Sequence, residues 1–132
     1  MKAVFVEQFG GIENLKYADI SKPSPGPGQA LVKIAASGVN YIDNYFRMGL
    51  YPAPLPIVLG SEGAGTVEAL GADVTGVSVG DRVAYAMARG SHAEYAAVPT
   101  WQLVKIPPAI DFQTAAGGIF TNCQVGTAAY SA

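Results

Sequence analysis

Gly60-Ser61-Glu62-Gly63-Ala64-Gly65-Thr66-Val67-Glu68 separates two possible architectures for the chain. Its glycines imitate a dinucleotide fingerprint. A true fingerprint follows a strand, keeps three glycines in register and opens a helix that receives the pyrophosphate. Here the third glycine is missing and Thr66-Val67-Glu68 continues with β-forming residues. The stretch therefore predicts the glycine-lined start of a barrel strand, in a domain that does not by itself hold a cofactor's pyrophosphate.

Strand signals flank it on both sides. Met1–Glu7 alternates around Val4, Phe5 and Val6, and Gly10–Gly11 then breaks the run before Leu15–Ile20. Pro23–Gly28 is a rigid loop, and Gln29–Ala36 is an apolar strand interrupted by Lys33. Downstream, Gly65–Leu70, Asp81–Ala86, His92–Val98 and Gln102–Ile106 read as further short strands. This spacing predicts a mainly β domain built as a partly closed β-barrel, which removes exposed sheet edges. Two short helices are expected. The first runs from Asn40, a cap, to Met48, with Asp43 in its first turn and Gly49 at its stop. The second runs from Asp111 through Ala116. The three prolines at 52, 54 and 56 stiffen the loop after the first helix into an extended path.

Composition bounds the rest. At 132 residues, half of them hydrophobic and 14% charged, the chain has the length and apolar content of one ordinary domain with a sizeable core. Its net charge of −2 carries no footprint for nucleic acid. No run approaches the ~18 consecutive apolar residues of a membrane span, and Met1–Glu7 alternates like a strand without the long apolar run of a signal peptide. Cys123 is the only cysteine, so an intrachain disulfide is impossible; a cytoplasmic setting is the expectation. With one Cys and one His (His92), the chain lacks the usual zinc donor set, and no metal site is expected.

The segment from Asn40 to Tyr51 gathers Asn40, Asp43, Tyr45, Arg47 and Tyr51 beside the proline loop. A phenol aimed at a carbonyl oxygen stabilises the charge that appears when hydride attacks a conjugated system. Packing alone also accounts for such residues, with Tyr45 in the core and Tyr51 on the surface.

Ser37-Gly38-Val39-Asn40-Tyr41-Ile42-Asp43, then Arg47, Gly49 and Tyr51, resembles the quinone oxidoreductase (zeta-crystallin-like) branch of the medium-chain dehydrogenase/reductase superfamily. The resemblance continues through Leu59–Val67, Val79-Gly80-Asp81-Arg82-Val83 and His92-Ala93-Glu94-Tyr95, and includes Met1-Lys2-Ala3 and Pro25–Gln29. It implies a GroES-like catalytic domain over residues 1–116, followed at 117–132 by a truncated connection towards an absent Rossmann domain that would bind NADPH. Zinc-dependent relatives carry Cys where this chain has Ser37 and His where it has Ser61, so the resemblance also implies a zinc-independent member.

By the same resemblance, Asn40 should touch the nicotinamide-ribose end of NADPH. Tyr45 and Tyr51 should line the substrate cleft, with Tyr51 the preferred hydrogen-bond donor to a quinone or enone carbonyl. Thr127 should meet the nicotinamide amide, although Gly117–Gln124 reads as an insertion before it. Asp43 is expected as a helix-end charge and Arg47 as a helix-surface or interdomain contact. Glu62 is either a supporting residue of the site or a barrel-strand charge, and His92 an ordinary residue entering a strand. The isolated chain should be inactive, needing a Rossmann domain in cis or in trans. Surface left bare between the halves would favour self-association into a homo-oligomer. The alternative is a stand-alone GroES-like interaction or ligand-binding module.

Overall fold

A computed structural model describes residues 1–125. Its strands form two sheets. In the smaller, β1 (Lys2–Val6) lies between β2 (Lys16–Asp19) and β4 (Ile57–Val58), antiparallel to both. In the larger, β3 (Gln29–Ser37), β5 (Glu62–Leu70), β6 (Arg82–Ala86), β7 (Tyr95–Pro99) and β8 (Val104–Lys105) are ordered β7-β3-β5-β6-β8, all antiparallel. A bridge from Ala3 to Ala93 joins the sheets, helped by Val4 N–H donating to His92 O at 2.8 Å. The two sheets therefore share a join, while β7 and β8 remain unpaired with each other at opposite edges.

The glycine-rich stretch enters a strand, as its β-forming continuation predicts, and the strand begins earlier than Gly65, at Glu62. The glycines serve close backbone approach. A Cβ on Gly65 would stand 2.0 Å from the Lys33 carbonyl oxygen of β3, inside any permitted contact. Between Ile34 and Ala36 the β3–β5 register shifts, and the strands crowd there. Gly60 has φ +92, a conformation glycine adopts without penalty, and a Cβ there would collide with Ser91 and His92.

The core sits between β3, β5, β6 and β7. Ala30, Val32, Val67, Val83, Tyr85, Ala96 and Val98 form its centre, and all are buried. A second cluster joins Ala64 and Ala84 of the sheet to Ala115 and Ala116 of α2 (Phe112–Val125). Small residues on both sides let this helix lie close to the sheet. Asp111 Oδ1 accepts the Thr114 N–H at 2.7 Å, which caps α2 and holds the Asp111 carboxyl below its usual range.

Several boundaries differ from expectation. The strand expected over His92–Val98 begins only at Tyr95, because the backbone of His92–Glu94 bonds to β1 and to Leu59, next to β4, instead. The strand expected at Gln102–Ile106 shrinks to β8, since Thr100–Gln102 closes a 3-10 turn. The helix expected to end at Ala116 continues to Val125, so Gly117–Gln124 and Cys123 belong to helical backbone rather than an irregular tail. Two glycines cost only ~1 kcal/mol each relative to alanine, which packing of the first turn readily offsets. The proline loop bends at Leu55 and Pro56, whose peptide bond is cis, rather than running extended throughout. Thr127 lies outside the described residues.

Candidate active site

Helix α1 (Tyr41–Met48) sits where β3 ends, with Asn40 as its N-cap and Gly49, at φ 79, as its left-handed C-cap. The Asn40 N–H donates to Asp43 Oδ2 at 3.0 Å, the carboxylate half of a capping box. Two side-chain bonds then fasten the head of the helix to the first residues of β5 and the position before it. Asn40 Nδ2 donates to Glu62 Oε1 at 2.9 Å, and Ser61 Oγ donates to Asp43 Oδ1 at 2.8 Å. Asp43, Ser61 and Glu62 are 6%, 2% and 3% exposed. Buried carboxylates are tolerable only when well satisfied, so these bonds are what permit two acidic residues to be buried at the head of the helix.

Asp43 is therefore more than a helix-end charge. Asp43→Ala would remove the acceptor for a buried hydroxyl and for the capping N–H, each costing ~1–3 kcal/mol when left unmade. The expected loss in urea unfolding is about 2–4 kcal/mol. A loss below ~0.5 kcal/mol, the range of ordinary surface substitutions, would show that the anchor is idle.

Past the anchor, aromatic rings form a row. Tyr41 and Tyr45 meet edge-on at 5.3 Å, Tyr45 and Tyr51 are tilted at 5.4 Å, and Phe46 meets Tyr51 edge-on at 5.6 Å. The Tyr51 N–H, at 3.4 Å from Tyr45 O, helps fold the loop back onto the helix. Tyr45 is half-buried and Tyr51 is 44% exposed. Among the described residues neither phenol oxygen has a hydrogen-bond partner. The structure puts Asn40, Tyr45 and Tyr51 on one unit of helix and loop, with Tyr51 presented outward.

Arg47 differs from its expected role. It is half-buried, its Nη1 donates to Gly10 O at 2.5 Å, and Arg47 O accepts the Gly10 N–H at 3.1 Å. It ties the helix to its own domain's first loop. Glu62, the first residue of β5, is a buried carboxylate bonded to Asn40. His92 was missed as a site neighbour. Its Nε2 lies 3.1 Å from Gly38 O and 3.9 Å from Asp43 Oδ2. A carbonyl only accepts, so that contact requires Nε2 to carry the proton. The only sequence signal was a lone histidine after Gly90-Ser91, too weak to separate from an ordinary strand residue.

Ser37, at the end of β3, donates to Ser91 Oγ at 2.8 Å. Beside them the Tyr85 hydroxyl is buried and meets no group with hydrogen-bond geometry. Burial raises its ionisation far above the usual phenol range, and the Ser91 hydroxyl offsets this only slightly. Tyr85 is thus a neutral core residue. Among the described residues no three His, Cys, Asp or Glu side chains are grouped to hold a metal ion.

A mainly β domain that carries a short, doubly anchored helix and an aromatic row at one rim has the build of a GroES-like domain. The alcohol dehydrogenase GroES-like domain family matches residues 26–108, and the chain belongs to it. Within the medium-chain dehydrogenase/reductase superfamily its similarity lies with the quinone oxidoreductase branch. It is 49% identical over 117 residues to a quinone oxidoreductase of Pseudomonas aeruginosa, covering 87% of this chain and 36% of that protein. It is 42% identical over 124 residues to human quinone oxidoreductase, covering 90% and 38%. The solved structure of Escherichia coli quinone oxidoreductase complexed with NADPH is similar at TM-score 0.89 and 33% identity, covering 95% of this chain and 39% of that one. The chain thus spans about two-fifths of the length of these relatives. Among the described residues no helix is long and apolar enough to cross a membrane.

Proposed function

We propose that this chain is the substrate-side catalytic domain of a zinc-independent, NADPH-dependent reductase of quinones or activated enones. The observation that carries the reading is the pairing of an immobilised amide, Asn40, with an outward phenol, Tyr51, on one anchored helix and its loop. The similarity to a quinone oxidoreductase solved with NADPH supports the cofactor. The residues fit it. Asn40 sits at the rim on a buried carboxylate, beside Gly38, where a Cβ would stand 1.8 Å from Glu62 Oε1. That arrangement suits a fixed contact to a ribose.

When bound, NADPH supplies the hydride. Asn40 would hold the nicotinamide-ribose end, and Thr127 would meet the nicotinamide amide. Tyr41, Tyr45 and Tyr51, edge-on or tilted to one another, offer an aromatic wall on which a planar quinone can pack against a single ring face. The Tyr51 hydroxyl would donate to the substrate carbonyl oxygen, where negative charge gathers as the ring is reduced. Zinc independence rests on the donor set. Ser37 and Ser61 offer hydroxyls in place of Cys and His, and each hydroxyl already donates to a protein acceptor.

In this reading residues 1–116 form the substrate domain, and 117–132 lead towards a Rossmann domain in cis or in trans. A cytoplasmic setting accords with a single cysteine. Two outcomes test the proposal. The 132-residue chain alone should not raise the rate of NADPH oxidation by 1,4-benzoquinone, whereas the protein with its nucleotide-binding domain should. Robust turnover by the isolated chain would overturn the two-domain reading. Treating the complete enzyme with a zinc chelator should leave its rate unchanged. A loss that added zinc restores would contradict zinc independence. If the complete protein reduces neither quinones nor enones, the interaction-module reading takes its place.

A further inference from the structure

We infer that Glu62 is a positioning residue: its buried carboxylate fixes the Asn40 amide and so sets the affinity of the enzyme for NADPH. The inference rests on the proposed function, because it needs Asn40 at the cofactor. Three observations carry it. Glu62 is 3% exposed, yet it opens β5 with its side chain turned towards the helix head. Its Oε1 accepts Asn40 Nδ2 at 2.9 Å, a charge-assisted bond of the stronger kind. Space for the carboxylate exists only because residue 38 is glycine; a Cβ there would fall 1.8 Å from Oε1 and 2.5 Å from Cδ.

The bond does more than fasten a helix. An asparagine amide has two chemically different ends, and at a rim it can turn between them. A carboxylate accepts only, so it captures the nitrogen end and fixes which way the amide faces. The neighbouring Ser61–Asp43 bond already anchors the helix, and Asp43 meets Asn40 only through the capping box, which leaves the amide nitrogen to Glu62. The two acids therefore divide the work: Asp43 caps and anchors the helix, and Glu62 holds the nitrogen end of the amide.

The test compares variants of the complete enzyme with spectra of the 132-residue chain. Glu62→Ala should raise KM for NADPH about tenfold, in line with the loss typical when a supporting partner is removed. KM for the quinone should stay within about twofold, since the aromatic row is untouched. Glu62→Gln, which keeps an acceptor oxygen in the same place, should recover most of the loss. Should the alanine variant fold poorly, Glu62→Asp serves, because its carboxylate is one methylene too short to reach Asn40. In the chain without cofactor, the Asn40 side-chain amide protons should exchange with water several-fold faster in the Asp or Ala variant and not in the Gln variant. An unchanged KM for NADPH, or unchanged Asn40 exchange, overturns the proposal. A merely structural Glu62 would lower stability and the yield of active protein without separating the two KM values. Asn40→Ala separates the failures. If it too leaves KM for NADPH unaltered in an active enzyme, the contact assigned to Asn40 is wrong. If it raises KM while Glu62→Ala does not, the positioning role alone is wrong.

Discussion

Gly65→Ala should destabilise the domain by about 3 kcal/mol or more, at or beyond the upper end of ordinary overpacking costs. The added methyl would lie 2.0 Å from the Lys33 carbonyl oxygen and 2.8 Å from its carbon. Both are backbone atoms of the central strand β3, which is paired on both sides. No flexible side chain stands there to swing away. Relief requires β3 and β5 to part, at the cost of ladder bonds and of core contacts made by Val32 and Val67. Gly76→Ala is the fitting control. Gly76 has φ +79 but nothing within 4 Å of an added Cβ, so only backbone strain of ~1 kcal/mol or somewhat more is expected. Urea unfolding of both variants measures the difference. Equal, small losses would mean that the two strands separate readily at this point.

Tyr51→Phe should lower kcat of the complete enzyme at least tenfold on its best quinone or enone, the lower range for loss of one donor at a developing oxyanion. Its KM for substrate should change little. The ring stays, and its contacts with Tyr45 and Phe46 at 5.4 and 5.6 Å do not involve the hydroxyl. Stability should also hold, because the residue is exposed and the phenol oxygen meets no protein group. Tyr45→Phe, one row inward, should cost less. If kcat of the Tyr51 variant stays within about twofold, Tyr51 is a wall and not a donor.

Local chemistry explains which parts were legible in the sequence. Helix α1 could be read end to end because each boundary has its own residue: Asn40 to cap, Asp43 for the first turn, Gly49 to stop. The pairing of β1 with β2 followed from two short apolar runs and a Gly-Gly break. The failed glycine fingerprint was legible too, since a helix must follow a true one. Contacts between distant segments were not. Nothing in the sequence says that Arg47 reaches Gly10, or that the acid after Ser61 bonds to Asn40. Such contacts depend on how β5 passes the helix head. The extent of α2 was hidden for the opposite reason. Gly117-Gly118 is a local stop signal, and it was overridden by a helix face of alanines packed on Ala64 and Ala84. The motif resemblance supplied the proposed roles of Asn40, Tyr45 and Tyr51; composition alone favours simple packing for the two tyrosines.

Helix α1 is held at its head by Asn40 and Asp43 and at its tail by Arg47 and the Gly49 cap packed on Phe9. Tyr41, Met48 and Leu50 take part in none of those fastenings, and all three are exposed. Substitutions at these three places should be nearly neutral for folding while altering the outward face beside the proposed substrate cleft. An ancestral protein could therefore wander among substrates of different shape by single steps here, with little loss of stability at each one. Diversification of relatives would then concentrate on this outward face, and the inward fastenings would stay as they are.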